Sequence, residues 1–97
     1  MPVMHFTLQW PDAAQMRCYS PSLVVREHLA VGQRYPLPEL LQRCREALHI
    51  GSERVRAKYG FACSAALDQL AQIEHQATRY QASDEVLVLA FDGDDPA

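Results

Sequence analysis

The segment from Met4 to Trp10 reads MHFTLQW, and its large apolar side chains fall on every second residue. Met4, Phe6, Leu8 and Trp10 take one side; His5, Thr7 and Gln9 take the other. A period of two marks a β-strand, whose successive side chains point to opposite faces. A strand with one face this apolar is stable only under a second layer, so the rest of the chain must supply that cover. Pro11 and Asp12 begin a turn, and residues 15–20 return as a second strand. On it Met16 and Cys18 share one face, with Arg17 and Tyr19 on the other.

The cover is legible downstream. Ser20-Pro21 reads as an N-cap followed by a first-turn proline, which predicts a short helix over residues 22–29 ending near Gly32. Leu37, Leu40, Leu41, Cys44 and Leu48 then recur at helical spacing, with Gln42, Arg43, Arg45 and Glu46 largely outside the stripe. Gly51-Ser52 is expected to break this helix, with Ser52 capping a renewed segment through Tyr59 that ends on Gly60. Phe61 is expected to pack between the two helix segments. Ser64 begins a last helix carrying Leu67, Leu70, Ile73, Ala77 and Tyr80 along one side. Residues 85–91 contain VLVLAF, apolar on both strand faces, which predicts a strand paired inside the sheet or covered on both sides. The expected architecture is one α+β domain over residues 1–91. It has a small antiparallel or mixed three-stranded sheet with helices packed on one face, in the order strand, strand, helices, strand. Residues 92–97 are expected to be an acidic flexible tail.

Composition excludes several function classes. Ninety-seven residues suffice for one core and not for two. A formal net charge of -3 argues against nucleic acid as a partner, because phosphate contacts need concentrated Lys and Arg. No apolar run approaches the roughly 18 residues of a membrane span, and the N-terminus opens on a strand pattern rather than a signal peptide. The cysteines Cys18, Cys44 and Cys63 are odd in number with no close pair, as suits a reduced, cytoplasmic protein. No spacing resembles a zinc site, an HExxH helix or a phosphate-cradling glycine loop, so no metal and no cofactor is expected. Asp92, Asp94 and Asp95 lack the remaining ligands of a calcium loop.

Chemistry concentrates in residues 52–64, SERVRAKYGFACS. Arg43, Arg45, Arg54, Arg56 and Lys58 are five of the nine basic residues of the chain. Arg54 and Lys58, four apart, share a helix face, while Arg56 points elsewhere. Arg54, Arg56, Lys58 and Tyr59 form the candidate binding set, and Arg54 with Lys58 suits a carboxylate, a phosphate or an acidic protein patch. The plainer reading is a solvated helix face with Arg45 paired internally. Cys63 immediately precedes Ser64, where the positive end of a helix favours a thiolate. That supports an alternative, a small-molecule enzyme or carrier using Cys63 beside Tyr59 and Phe61. A nucleophile also needs a base, and the sequence places none of His5, His28, His49 or His75 beside it. A buried inert thiol is the plainer reading there, and Cys18 and Cys44 lie on core stripes. A Cys18–Cys63 redox or metal pair would require the tertiary fold to join them.

The segments Cys18-Tyr19-Ser20-Pro21-Ser22, residues 52–64 and Ala66-Leu67-Asp68-Gln69-Leu70 resemble a small bacterial family of nitrogen-starvation-response proteins, over nearly the whole domain. Members of that family are associated with gene clusters containing a nitrilase and other enzymes of nitrogen metabolism. The resemblance implies a cytoplasmic accessory role near such chemistry, and it assigns no catalytic residue or cofactor to Cys63, Arg54 or Lys58. Residues and resemblance together point to a non-enzymatic accessory or interaction protein. Its basic helix would meet a nitrogen-metabolism enzyme with an acidic surface. A homo-oligomer through strand or helix contacts is the third expectation.

Overall fold

The computed structural model describes residues 4–61 and 64–93. The N-terminal alternation forms β1 (Met4–Gln9) and pairs antiparallel with β2 (Gln15–Ser20), in a register that sets Phe6 opposite Cys18 and Leu8 opposite Met16. The hairpin loop closes through Ala13 N–H to the Trp10 carbonyl at 2.8 Å and Trp10 N–H to the Ala14 carbonyl at 2.8 Å. Asp12 accepts the Ala14 N–H at 3.2 Å, so a side-chain turn does what an Asn-Gly pair does elsewhere.

The sheet has four strands, not three. After α1 (Val25–His28) comes β3 (Arg34–Pro36), ahead of the long α2 (Leu37–Tyr59), α3 (Ser64–Ala77) and β4 (Glu85–Gly93). The chain order is therefore strand, strand, helix, strand, helix, helix, strand. Across the sheet the order is β2-β1-β4-β3, antiparallel at every pairing, with the helices on one face. Three residues, one of them a proline, are too short for an alternation to declare itself. Pro36 is tolerated because β3 is an edge. The expectation that VLVLAF pairs inside the sheet holds, since β4 lies between β1 and β3. A register shift leaves Leu89 as an extra residue between the Thr7–Ala90 and Leu8–Val88 pairs. The strand runs past Phe91, and Asp92 bridges back over β1 to Arg17 at 3.0 Å.

The core lies between the Met4, Phe6, Leu8 and Cys18 face of the sheet and Leu40, Cys44, Leu48, Leu70 and Ile73 of the helices. Trp10 closes one end, stacked on Tyr80 at 5.7 Å between ring centroids. One expected core position lies outside the core. On α3 Gln69 is buried, whereas Leu67 is exposed. The reason is the outer edge of β2: Gln69 Oε1 accepts the Tyr19 N–H at 3.0 Å, so an amide is needed where a pure stripe would put leucine. Such a contact also blunts an edge that would otherwise offer backbone groups to another strand.

α1 begins later than expected. Ser20 Oγ donates to the Ser22 carbonyl at 2.7 Å, and Ser22 Oγ, rather than Ser20 Oγ, accepts the Val24 N–H at 3.2 Å. Nor is α2 broken at Gly51-Ser52; it is one helix of 23 residues. Gly51 and Ser52 are buried, and Gly51 faces the Ser20–Ser22 turn. A Cβ on Gly51 would lie 3.0 Å from Cγ of Pro21, so this glycine permits close packing and does not end the helix.

Candidate functional site

Burial on α2 stops at Ser52, and on α3 it begins at Ala66. Between them the described residues are exposed, apart from a half-buried Val55. The last two turns of α2 and the start of α3 thus form a helical hairpin tip standing clear of the core. Arg45 holds its base, reaching across to Glu74 at 2.6 Å. Gly60 ends α2 at φ 89°, its N–H donating to the Arg56 carbonyl at 2.8 Å. That left-handed conformation suits glycine and turns the chain toward α3.

The five clustered cations separate by their partners. Arg43 is spent on Glu39 at 2.8 Å, on the His28 carbonyl at 2.9 Å and on the face of Tyr35. Arg45 holds Glu74, as the plainer reading had it. Arg56 engages both carboxylate oxygens of Glu53, one turn earlier. This pairing holds the Glu53 carboxyl below its usual range and raises the guanidinium of Arg56. Arg54 and Lys58 have no acidic partner among the described residues. Arg54 Nη1 donates to Ser22 Oγ at 3.1 Å, which orients its guanidinium without neutralising it. Lys58 Nζ lies 5.6 Å from the centroid of the Tyr59 ring. Tyr59 is 51% exposed and Phe61 69% exposed. Among the described residues, the tip therefore carries two uncompensated positive charges beside two solvent-facing aromatic rings.

Phe61 does not pack between helix segments as expected: with α2 continuous there is no gap for it to fill. Cys63 lies outside the described residues. Cys18 and Cys44 are buried free thiols. Burial pushes the Cys44 thiol up to about 12 and, with Cys44 adding to it, pushes that of Cys18 still further from thiolate formation. Both are core residues with no nucleophilic character at neutral pH. Among the described residues no group of three or more His, Cys, Asp or Glu is placed to hold a metal ion, and no helix is long and apolar enough to cross a membrane.

The fold also joins two segments far apart in the chain. The Ser20–Ser22 turn sits on Gly51 and Arg54 through the Pro21 contact and the Ser22–Arg54 hydrogen bond. Ser22 and Arg54 lie in two of the three stretches that carried the sequence resemblance. The family described as nitrogen starvation-induced protein NitG matches residues 5–91. The chain belongs to that family. The match runs from β1 into β4, so it spans every element of this NitG-family fold, the tip included. No curated protein and no solved structure matches the chain.

A feature the sequence did not reveal lies at the other end of α2. His28 of α1 and Pro38, Glu39, Gln42, Arg43 and Glu46 of α2 line a cleft of about 560 Å³. No motif spacing marks it, because α1 is one turn long and its single histidine meets α2 only through tertiary packing.

Proposed function

We propose that this NitG-family protein is a non-catalytic accessory protein of a nitrogen-starvation-responsive pathway in the cytoplasm. It docks through the α2–α3 tip onto an acidic surface of a nitrogen-metabolism enzyme. The observation that carries this reading is the pair Arg54 and Lys58, which lack an acidic partner among the described residues and stand beside exposed Tyr59 and Phe61. Arginine and tyrosine are the residue types that dominate the binding energy of protein interfaces. Complementary charge there sets encounter rate and register. The association of the resembling family with nitrilase-containing clusters makes an enzyme of a nitrilase-associated system the first partner to test. The alternative built on Cys63 gains no support from its two aromatic neighbours, which face solvent.

The test is binding between the purified protein and purified enzymes of such a system, measured by biolayer interferometry at low and physiological salt. Affinity should fall with ionic strength, and Arg54→Glu with Lys58→Glu should weaken it by at least about 100-fold, as reversal of two interfacial charges implies. Binding that survives the double reversal would show that the tip is not the docking surface. Absence of binding to every enzyme of the set would reject the accessory reading. The molar mass of the free protein, measured separately by light scattering, decides whether it self-associates.

A further inference from the structure

The cleft between α1 and α2 contains a polar arrangement that the tip does not use. His28 is held by its own helix, with Nδ1 lying 3.3 Å from the Val24 carbonyl. A carbonyl only accepts, so this contact selects the tautomer with the proton on Nδ1, in which Nε2 is the acceptor facing the cleft. Opposite stands Glu46, whose Oε2 is 4.0 Å from His28 Nε2. That separation is too long for a direct hydrogen bond. The other carboxylate oxygen, Oε1, accepts from Gln42 Nε2 at 3.2 Å, which fixes the group without neutralising its charge. The His28 side chain is only 19% exposed, while Glu46 is open to solvent.

Two acceptors 4.0 Å apart call for a donor between them. A nitrogen at hydrogen-bonding distance from both, about 2.9 Å, would see them roughly 90° apart, an angle that two N–H bonds of an ammonium group can serve. The charge balance agrees. Glu39 is neutralised by Arg43, whereas Glu46 has no cationic side chain at hydrogen-bonding distance among the described residues. Among the described residues, no Lys or Arg therefore offsets the charge of Glu46 in the cleft. Arg43 spends Nε and Nη2 on Glu39 and Nη1 on the His28 carbonyl, so it has little to offer a carboxylate. Pro38 supplies an apolar wall. We propose that this cleft is a binding site for a small primary ammonium compound, its nitrogen bridging His28 Nε2 and Glu46 Oε2 and its short alkyl body lying against Pro38. The same arrangement disfavours a zwitterionic amino acid, whose carboxylate would find Glu46 and no free cation.

The experiment is an NMR titration of the full chain with methylammonium, with tetramethylammonium and glycine as comparisons. Tetramethylammonium has the charge without an N–H donor; glycine has the ammonium with a carboxylate attached. Saturable shifts of the His28 ring and the Gln42 side-chain amide with methylammonium, absent with tetramethylammonium and weaker with glycine, are expected. Glu46→Gln, at an open surface position, should weaken methylammonium at least about tenfold, the scale of one charged hydrogen bond. Shifts that never saturate, that tetramethylammonium reproduces, or that persist in Glu46→Gln would overturn the site. Glycine binding as tightly as methylammonium would overturn its assignment to a simple cation.

Discussion

Gly51 offers the sharpest test of how this fold is packed, because two opposing effects of known size meet at one atom. Replacing a glycine inside a helix by alanine ordinarily gains about 1 kcal/mol in propensity. Here the new Cβ would lie 3.0 Å from Cγ and 3.4 Å from Cδ of Pro21, and 3.5 Å from Cβ of Ser22. Optimal carbon–carbon separation is roughly 3.5–4.0 Å, so the closest contact is repulsive. The Pro21 ring is fully buried and covalently stiff, and it has nowhere to retreat. Overpacking of this kind costs about 1–3 kcal/mol. The penalty exceeds the gain, and Gly51→Ala should destabilise the protein by about 1 kcal/mol net, lowering Tm by roughly 4–8 °C for a domain of this size. Urea and thermal unfolding followed by circular dichroism measure both quantities. Removing the obstructing ring by Pro21→Ala should expose the propensity gain, so the second substitution costs less in that background, a coupling read from a double-mutant cycle. If Gly51→Ala alone stabilises the protein by its full helix propensity, the close approach of α2 to the Ser20–Ser22 turn is wrong. The orientation of Arg54 by Ser22 would fall with it.

Two further outcomes follow from the β1–β2 hairpin. Ala13 holds φ 71° in its loop, a left-handed conformation that costs a residue with a Cβ about 1–2 kcal/mol, so Ala13→Gly should raise stability by about 0.5 kcal/mol after the added freedom of the unfolded chain is set against it. A fall in Tm would contradict that backbone geometry. The Asp12 carboxyl is held below its usual value first by the Tyr80 hydroxyl, which donates to it at 2.8 Å, and then by the Ala14 N–H. A group with a depressed folded-state pKa contributes stability that is present above its unfolded value, near pH 4, and is lost as pH falls through the lower folded value. Tyr80→Phe keeps the stack on Trp10 and removes the donor. It should be the less stable protein at neutral pH, with the difference shrinking on acidification; a difference constant from pH 6 to about pH 2 would refute the linkage.

What the sequence disclosed about the fold, and what it concealed, follows from the range of the interactions involved. β1 and most of α2 declare themselves because their burial is periodic and local: every second residue of Met4 to Trp10, and Leu37, Leu40, Cys44 and Leu48 along one helix face. β3 is concealed because its stability comes from Val86 and Leu87 of a strand about fifty residues away, not from its own three residues. Gly51 misleads for a related reason. Its chemistry is that of a helix breaker, and only the buried ring of Pro21 shows that the absent side chain is what the helix requires. Gln69 and Leu67 exchange their expected places because the edge of β2 needs an acceptor, a demand set by a neighbouring element.

The same distinction governs the candidate surfaces. Five basic residues looked like one patch, yet their partners divide them: Glu39, Glu53 and Glu74 each take one arginine, leaving Arg54 and Lys58. Exposed ion pairs contribute about 0–1 kcal/mol each, so Arg56 can exchange Glu53 for an incoming carboxylate at little cost. Arg54 has no such competitor among the described residues, and Ser22 already fixes one of its donors, so less side-chain freedom is lost when it is bound. A partner meeting the tip therefore encounters one oriented guanidinium, one mobile ammonium and two open rings on an element that the core does not need for its own burial. Those residues are free to be specified by a partner, which is the physical ground for reading the tip as the working surface of the molecule.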